Sequence, residues 1–241
     1  MSNSQPPITA QPSANSVDRC ASGFVLAGGQ SSRMGSDKAV ALFDGSPLIT
    51  NAVQIFKSAG LSVKIAGSRS NLSQFSAEIP ETIPDTFPES GPLGGVHSAL
   101  AASSSEWNVF LPVDMPLMPP SLLAALLLRA QRTGPPVTVA KLNGRIEPFP
   151  VVVSLQSLPI IESRLQSSEL GCQSAWHAIS AHLDSRLDGV SVESLVQTGH
   201  CRHPASFPPI WWFQSANTPA ELTWLNHIHA KISPESRNLV L

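Results

Sequence analysis

Residues 23–38 join a short apolar run, GFVLA, to a glycine- and hydroxyl-rich segment, GGQSSRMGSDK. An apolar run this short, bounded by glycines, suits a strand buried on both faces of a parallel sheet. The polar loop then leaves at the strand's carboxyl end. Beyond it Leu48, Ile49, Ala52, Val53 and Phe56 recur at helical spacing and define one buried helix face. Ser46 is expected to cap this helix, with Pro47 at its first position and Gly60 stopping it. Residues 63–66 (VKIA) read as the next strand. Strand, loop, helix and strand within about forty residues is the unit of a doubly wound sheet, which fixes the fold class as α/β.

A second unit opens at Gly91, where GPLGG begins a helix running through Val96 and Leu100. Residues 107–113 form another buried strand ending in Asp114, and residues 121–132 (SLLAALLLRAQR) a leucine-rich helix packed between layers. Residues 137–142 and 146–153 flank Asn143-Gly144, a strong signal for a tight hairpin, so a small antiparallel extension is expected. Near the C-terminus Thr218, Pro219 and Glu221 make a capping box, and Leu222, Leu225 and Ile228 carry an apolar stripe. Residues 199–212 read as an irregular loop.

The chain has 241 residues, of which 42% are hydrophobic and 13% charged. That length suits one sizeable domain, expected over residues 20–241, preceded by a disordered polar tail at residues 1–19 without the apolar core of a secretory signal. No stretch approaches the roughly 18–20 apolar residues of a membrane helix. Three scattered cysteines, Cys20, Cys172 and Cys201, suggest neither a disulfide framework nor a metal-binding pair, and fit a reducing cytoplasm. A formal net charge of −2 without a Lys/Arg block argues against nucleic-acid or membrane partners recognised through a broad basic field. Any anion must be captured locally.

The glycine-rich loop is the candidate place. Backbone amides in such a turn can converge on phosphate oxygens, and Arg33 and Lys38 would add charge. The loop is neither a Walker motif nor GxGxxG, and on its own a plain strand-to-helix turn explains it equally well. Asp114 shifts the balance. A carboxylate directly after a buried strand sits at the carboxyl edge, where α/β sheets bind ligands, and Mg²⁺ bridging phosphates is held by one or two such groups. His200, Cys201 and His203 lack the ligand pairing of a zinc site. His227 and His229 are expected on the surface, and Trp211 and Trp212 at the edge of the core. Arg145 and Glu147 serve equally well as ligand contacts or as a cross-strand pair.

Taken in order, LAGGQSSRMGSDKA, the D-x(5)-GPLGG of residues 85–95, PVDMPLMPP at 112–120, NGRIEP at 143–148 and FQSANTPAEL at 213–222 resemble the molybdenum cofactor guanylyltransferase family. The resemblance spans nearly the whole chain after the tail. It implies a doubly wound, mostly parallel, Rossmann-like nucleotidyltransferase fold that transfers GMP from GTP to molybdenum-bearing molybdopterin with Mg²⁺, releasing diphosphate. By the same resemblance Leu26, Ala27, Gly28 and Gly29 touch the nucleotide, Lys38 the phosphates and Asp85 the nucleotide, while Asp114 is the Mg²⁺ ligand. Arg33 and Lys38 would stabilise the leaving diphosphate, and Asn217 belongs to the pterin side. Molybdoenzymes or cofactor-delivery proteins are the implied protein partners. Two positions depart from the pattern: Ala66 stands where an asparagine is frequent, and Ser215 replaces the first asparagine of the C-terminal motif. The rivals are a cytidylyltransferase of the same superfamily, disfavoured by LAGG and GPLGG, and a non-catalytic nucleotide-binding module, disfavoured by Asp114 and Lys38.

Overall fold

The computed structural model describes residues 21–28, 38–67 and 80–232, so the expected tail at 1–19 lies outside the described residues. The apolar run becomes β1 (Ala21–Leu26). A short hairpin follows, β2 (Leu42–Phe43) against β3 (Ser46–Pro47), and then α1 (Leu48–Ser58). Ser46 is therefore a strand residue and not the helix cap, and Pro47 takes the cap position with no side-chain hydrogen bond. The pairing of Phe43 with Ser46 holds that stretch extended up to the first helical residue. The five apolar residues expected to face inward on α1 are all buried.

β4 (Val63–Ala66) and β5 (Thr82–Ile83) lead to α2 (Gly91–Ala101), then β6 (Trp107–Pro112) and α3 (Pro120–Thr133). β7 (Val137–Leu142) turns through Asn143 and Gly144, both at positive φ, into β8 (Arg145–Ser154). Positive φ at both central residues is what a type I′ turn requires, and Asn-Gly tolerates it. The remaining elements are α4 (Leu158–Gln166), α5 (Cys172–His182), β9 (Asp188–Ser191), α6 (Val192–Gln197), the single turn α7 (Pro209–Trp212) and α8 (Pro219–Ile232).

Seven strands form one sheet in the order β5-β4-β1-β6-β8-β7-β9. Every neighbouring pair is parallel except those made by β8, which runs against both β6 and β7. The antiparallel extension thus lies within the sheet: β8 fills the gap left when the chain crosses from β6 to β7. α1 and α3 pack together on one face, and α2, α4 and α5 on the other. Buried apolar side chains from sheet and helices form one core, with Phe24 stacked on Phe110 across β1 and β6. No helix among the described residues is long and apolar enough to cross a membrane.

Candidate active site

Strand register brings the site together. Leu26 lies beside Ala66 on one flank and Pro112 on the other. The ladder continues one residue further, with the Ala27 amide donating to the Ala66 carbonyl (2.9 Å) and the Val113 amide to the Leu26 carbonyl (3.0 Å). The segments leaving these strands therefore start level at one edge. They are Ala27 and Gly28, Gly67, and Asp114.

Asp85 enters the same edge two residues after β5. Its carboxylate lies against two glycines: a Cβ on Gly28 would sit 2.9 Å from Asp85 Oδ2, and one on Gly95 would sit 4.0 Å from Oδ1 and 3.2 Å from a Leu26 methyl. A side chain at position 28 would push the Asp85 carboxylate from this place. Ser98, buried on α2, adds a constraint that the sequence did not suggest. Its Oγ accepts the Thr86 amide at 2.8 Å and donates to the Gly94 carbonyl at 3.0 Å, fixing the backbone next to Asp85. Ala66 is buried, with its methyl facing Gly95, so β4 offers no polar group there.

Lys38 begins a 3₁₀ turn, Lys38–Val40, and reaches across the edge. Its Nζ donates to Asp114 Oδ2 at 2.7 Å and to Asn217 Oδ1 at 2.8 Å, although these residues lie 76 and 179 positions away in sequence. The Lys38 and Asp114 side chains are 16% and 14% exposed, so the pair is only partly screened by water. Asp114 is tied to the C-terminal segment by its backbone as well, because its carbonyl accepts the Ala216 amide at 2.8 Å. The capping box then orients Asn217. Thr218 Oγ1 accepts the Glu221 amide (3.2 Å), while Glu221 Oε2 accepts the amides of Thr218 (2.9 Å) and Asn217 (2.8 Å). Asn217 thus stands on the lysine–carboxylate pair.

Asp114 Oδ2 and Asn217 Oδ1 converge on one cation, the ammonium of Lys38, and two oxygen donors of this kind suit Mg²⁺. No group of three or more His, Cys, Asp or Glu side chains clusters among the described residues, so an ion at Asp114 would complete its shell with substrate oxygens and water.

Arg145 and Glu147 start β8, whose antiparallel course brings its first residues to this same edge. Burial raises the Glu147 carboxyl above its ordinary range, and the Arg145 charge offsets this in part. Gly29 and Arg33 lie outside the described residues. His229 differs from its expected surface position: it is half-buried, packed on Phe43 and Phe207. Cys201 is buried beside Ser121, and His203 packs edge-on against Phe207. Trp212 is buried, as expected, and Trp211 packs on Trp224.

The mostly parallel sheet thus presents at one edge a glycine-lined exit, a strand-end carboxylate and a lysine, and the family match makes the chain an α/β nucleotidyltransferase. The model of the MobA-like NTP transferase domain matches residues 23–185, and the chain belongs to that family. A probable molybdenum cofactor guanylyltransferase of Flavobacterium johnsoniae is 33% identical over 149 residues, 61% of this chain and 75% of that protein. The molybdenum cofactor guanylyltransferase of Yersinia pestis is 36% identical over 105 residues, 43% of this chain, and the match spans only 54% of the Yersinia protein. Among solved structures, molybdopterin-guanine dinucleotide biosynthesis protein A from Archaeoglobus fulgidus superposes with a TM-score of 0.69 at 20% identity, covering 87% of this chain and 99% of its own. That likeness is one of fold.

Proposed function

We propose that the chain transfers GMP from GTP to the terminal phosphate of molybdenum-bearing molybdopterin and releases diphosphate. The observation that carries this reading is the meeting of Lys38, Asp114 and Asn217 at the edge where Asp85 lies over Gly28 and Gly95. The similarity to curated guanylyltransferases supports the choice of guanine and pterin.

The acceptor phosphate is ionised at neutral pH, so no general base is needed, and the protein's task is alignment and charge neutralisation. Lys38 donates to the phosphates of GTP, assisted by Arg33 and by amides of the glycine-rich loop. Asp114 is the residue to hold a Mg²⁺ ion, which would supply bridging of phosphate oxygens and neutralisation of their charge. Asp85 supplies an acceptor for the nucleotide. Guanine presents adjacent N1–H and amino donors, so a carboxylate lined up with backbone carbonyls favours it over cytosine. A site built on such bonds rejects the wrong base because its buried acceptors are then left unpaired.

Competition binding with GTP, CTP and ATP tests this reading. GTP should bind most tightly, and Asp85→Ala should narrow the gap. CTP binding as tightly as GTP would favour the cytidylyltransferase alternative.

A further inference from the structure

The segment that carries Lys38 to the edge is built of short pieces. They are the 3₁₀ turn Lys38–Val40 and the hairpin of β2 and β3, whose strands are two residues each, with Leu42, Asp44, Gly45 and Ser46 exposed. A strand pair this short is marginal on its own in water. α8 reaches over it. In an antiparallel pair successive residues alternate between facing the partner strand and facing away. The Leu42 carbonyl and the Asp44 amide, two residues apart, face away from β3, and the half-buried Asn226 takes both. Its Nδ2 donates to the Leu42 carbonyl at 3.1 Å, and its Oδ1 accepts the Asp44 amide at 2.7 Å. A third bond, from Nδ2 to the Leu222 carbonyl at 3.1 Å, fixes the side chain against its own helix. One amide group, donor and acceptor together, thereby does for β2 what a neighbouring strand would do. His229, one turn on, adds to the contact: its ring lies edge-on to Phe43, and its Nδ1 is 3.5 Å from an Asp44 carboxylate oxygen.

We infer that Asn226 is a positioning residue for Lys38, holding the hairpin in the place from which the ammonium reaches the phosphates of the nucleotide. The inference rests on the proposed reading of Lys38 as a phosphate contact. The path from clamp to lysine is short and made of hydrogen bonds. The Ala41 amide donates to the Lys38 carbonyl at 3.2 Å, and the Leu48 amide to the Ala41 carbonyl at 2.9 Å. The residue before Leu42 is therefore tied to the lysine turn on one side and to the start of α1 on the other. α1 is anchored in the core through Leu48 and Ile49 and gives the hairpin a fixed root, while Asn226 fixes its outer strand. Without the clamp β2 shifts about that root, and a displacement of about 1 Å in a group that meets substrate costs up to on the order of a hundredfold in rate. A nucleoside without phosphates does not use Lys38, so its binding is indifferent to the clamp.

The test is calorimetric titration of GTP and of guanosine into the full-length chain carrying Asn226→Ala, Lys38→Ala or both, with melting curves as control. Alanine suits a helix interior, so α8 should form in the variant. Asn226→Ala should weaken GTP at least about fivefold and leave guanosine within about twofold of wild type, since only the charge-assisted bond to phosphate is disturbed. In the Lys38→Ala background the same substitution should change GTP affinity by less than about twofold, because two residues that act through one contact are not additive. Amide hydrogen exchange without nucleotide reads the clamp directly: the Asp44 and Ala41 amides should exchange at least about tenfold faster in Asn226→Ala. Equal losses for GTP and guanosine, full additivity with Lys38→Ala, or an Ala41 amide exchanging as in wild type would overturn the positioning role. Asn226→Ala binding GTP like wild type while Lys38→Ala does not would overturn it too and leave the proposed reading of the site standing. Lys38→Ala binding GTP like wild type would overturn that reading, and the positioning role with it.

Discussion

At the scale of single residues, Asp114 plays two separable parts, its backbone carbonyl tying down the C-terminal segment and its carboxylate meeting Lys38. Asp114→Asn is nearly isosteric and keeps the backbone carbonyl that accepts the Ala216 amide, so the fold should persist. On the proposed reading turnover should fall by at least about a hundredfold, because the change removes the charge assigned to holding the metal. A steady-state assay across Mg²⁺ concentrations, with a melting curve as control, checks both halves; wild-type turnover at limiting Mg²⁺ would sink the assignment. Lys38→Ala should weaken GTP by roughly 1.5–3 kcal/mol while leaving guanosine nearly unaffected, the expected loss for a charge-assisted bond to phosphate. Calorimetric titration of both ligands distinguishes this from a merely structural lysine, which would cost both equally. Asp114 and Lys38 were legible in the sequence, one from its place after an apolar strand and the other from the loop motif. Ser98 was not, because a serine inside GPLGGVHSAL looks like any other polar helix residue until Thr86 is folded onto it.

At the scale of elements, the clearest local signal was the capping box, and it formed with both reciprocal bonds in place. Thr218→Ala removes the hydroxyl that caps α8 and should cost about 1 kcal/mol, read as a lowered melting temperature. A variant melting like wild type would show that Glu221 alone carries the cap. The Asn143-Gly144 turn was equally legible, since its residue types answer a backbone demand that few others meet. Elements without such a demand were hidden. β9 is four residues, DGVS, with no apolar run, and it is a strand because the edge of β7 is there to pair with and because Arg129 holds Asp188 at 2.7 Å. Ser46 and Pro47 carried a sound helix-start signal that pairing with the β2 strand overrode. For β9 contact with a distant segment decided the outcome, whereas for Ser46 and Pro47 it was a tight hairpin through Asp44 and Gly45, both at positive φ.

At the scale of the whole molecule, the site exists because three remote segments meet at one sheet edge, and only the fold brings Lys38, Asp114 and Asn217 into contact. The same long-range packing shapes the response to acid. Burial, reinforced by the charge of His229, lowers the His203 pKa from 6.5 to about 4, and burial also lowers that of His97. A base whose folded pKa lies below its unfolded value takes up a proton on unfolding, so its contribution to stability is complete above pH 6.5 and is lost as pH falls toward 4. His203→Phe keeps an aromatic ring against Phe207 and should make the fall of melting temperature shallower in that window; an unchanged slope would mean His203 titrates normally. The central claim is tested most directly by incubating the chain with Mg²⁺, molybdenum-bearing molybdopterin and each of GTP, CTP and ATP in turn, and measuring diphosphate release together with the dinucleotide formed. The account predicts diphosphate and a guanine dinucleotide in equal amounts with GTP and little of either with the others. Diphosphate with CTP at the rate of GTP, or none with any nucleotide, would contradict it.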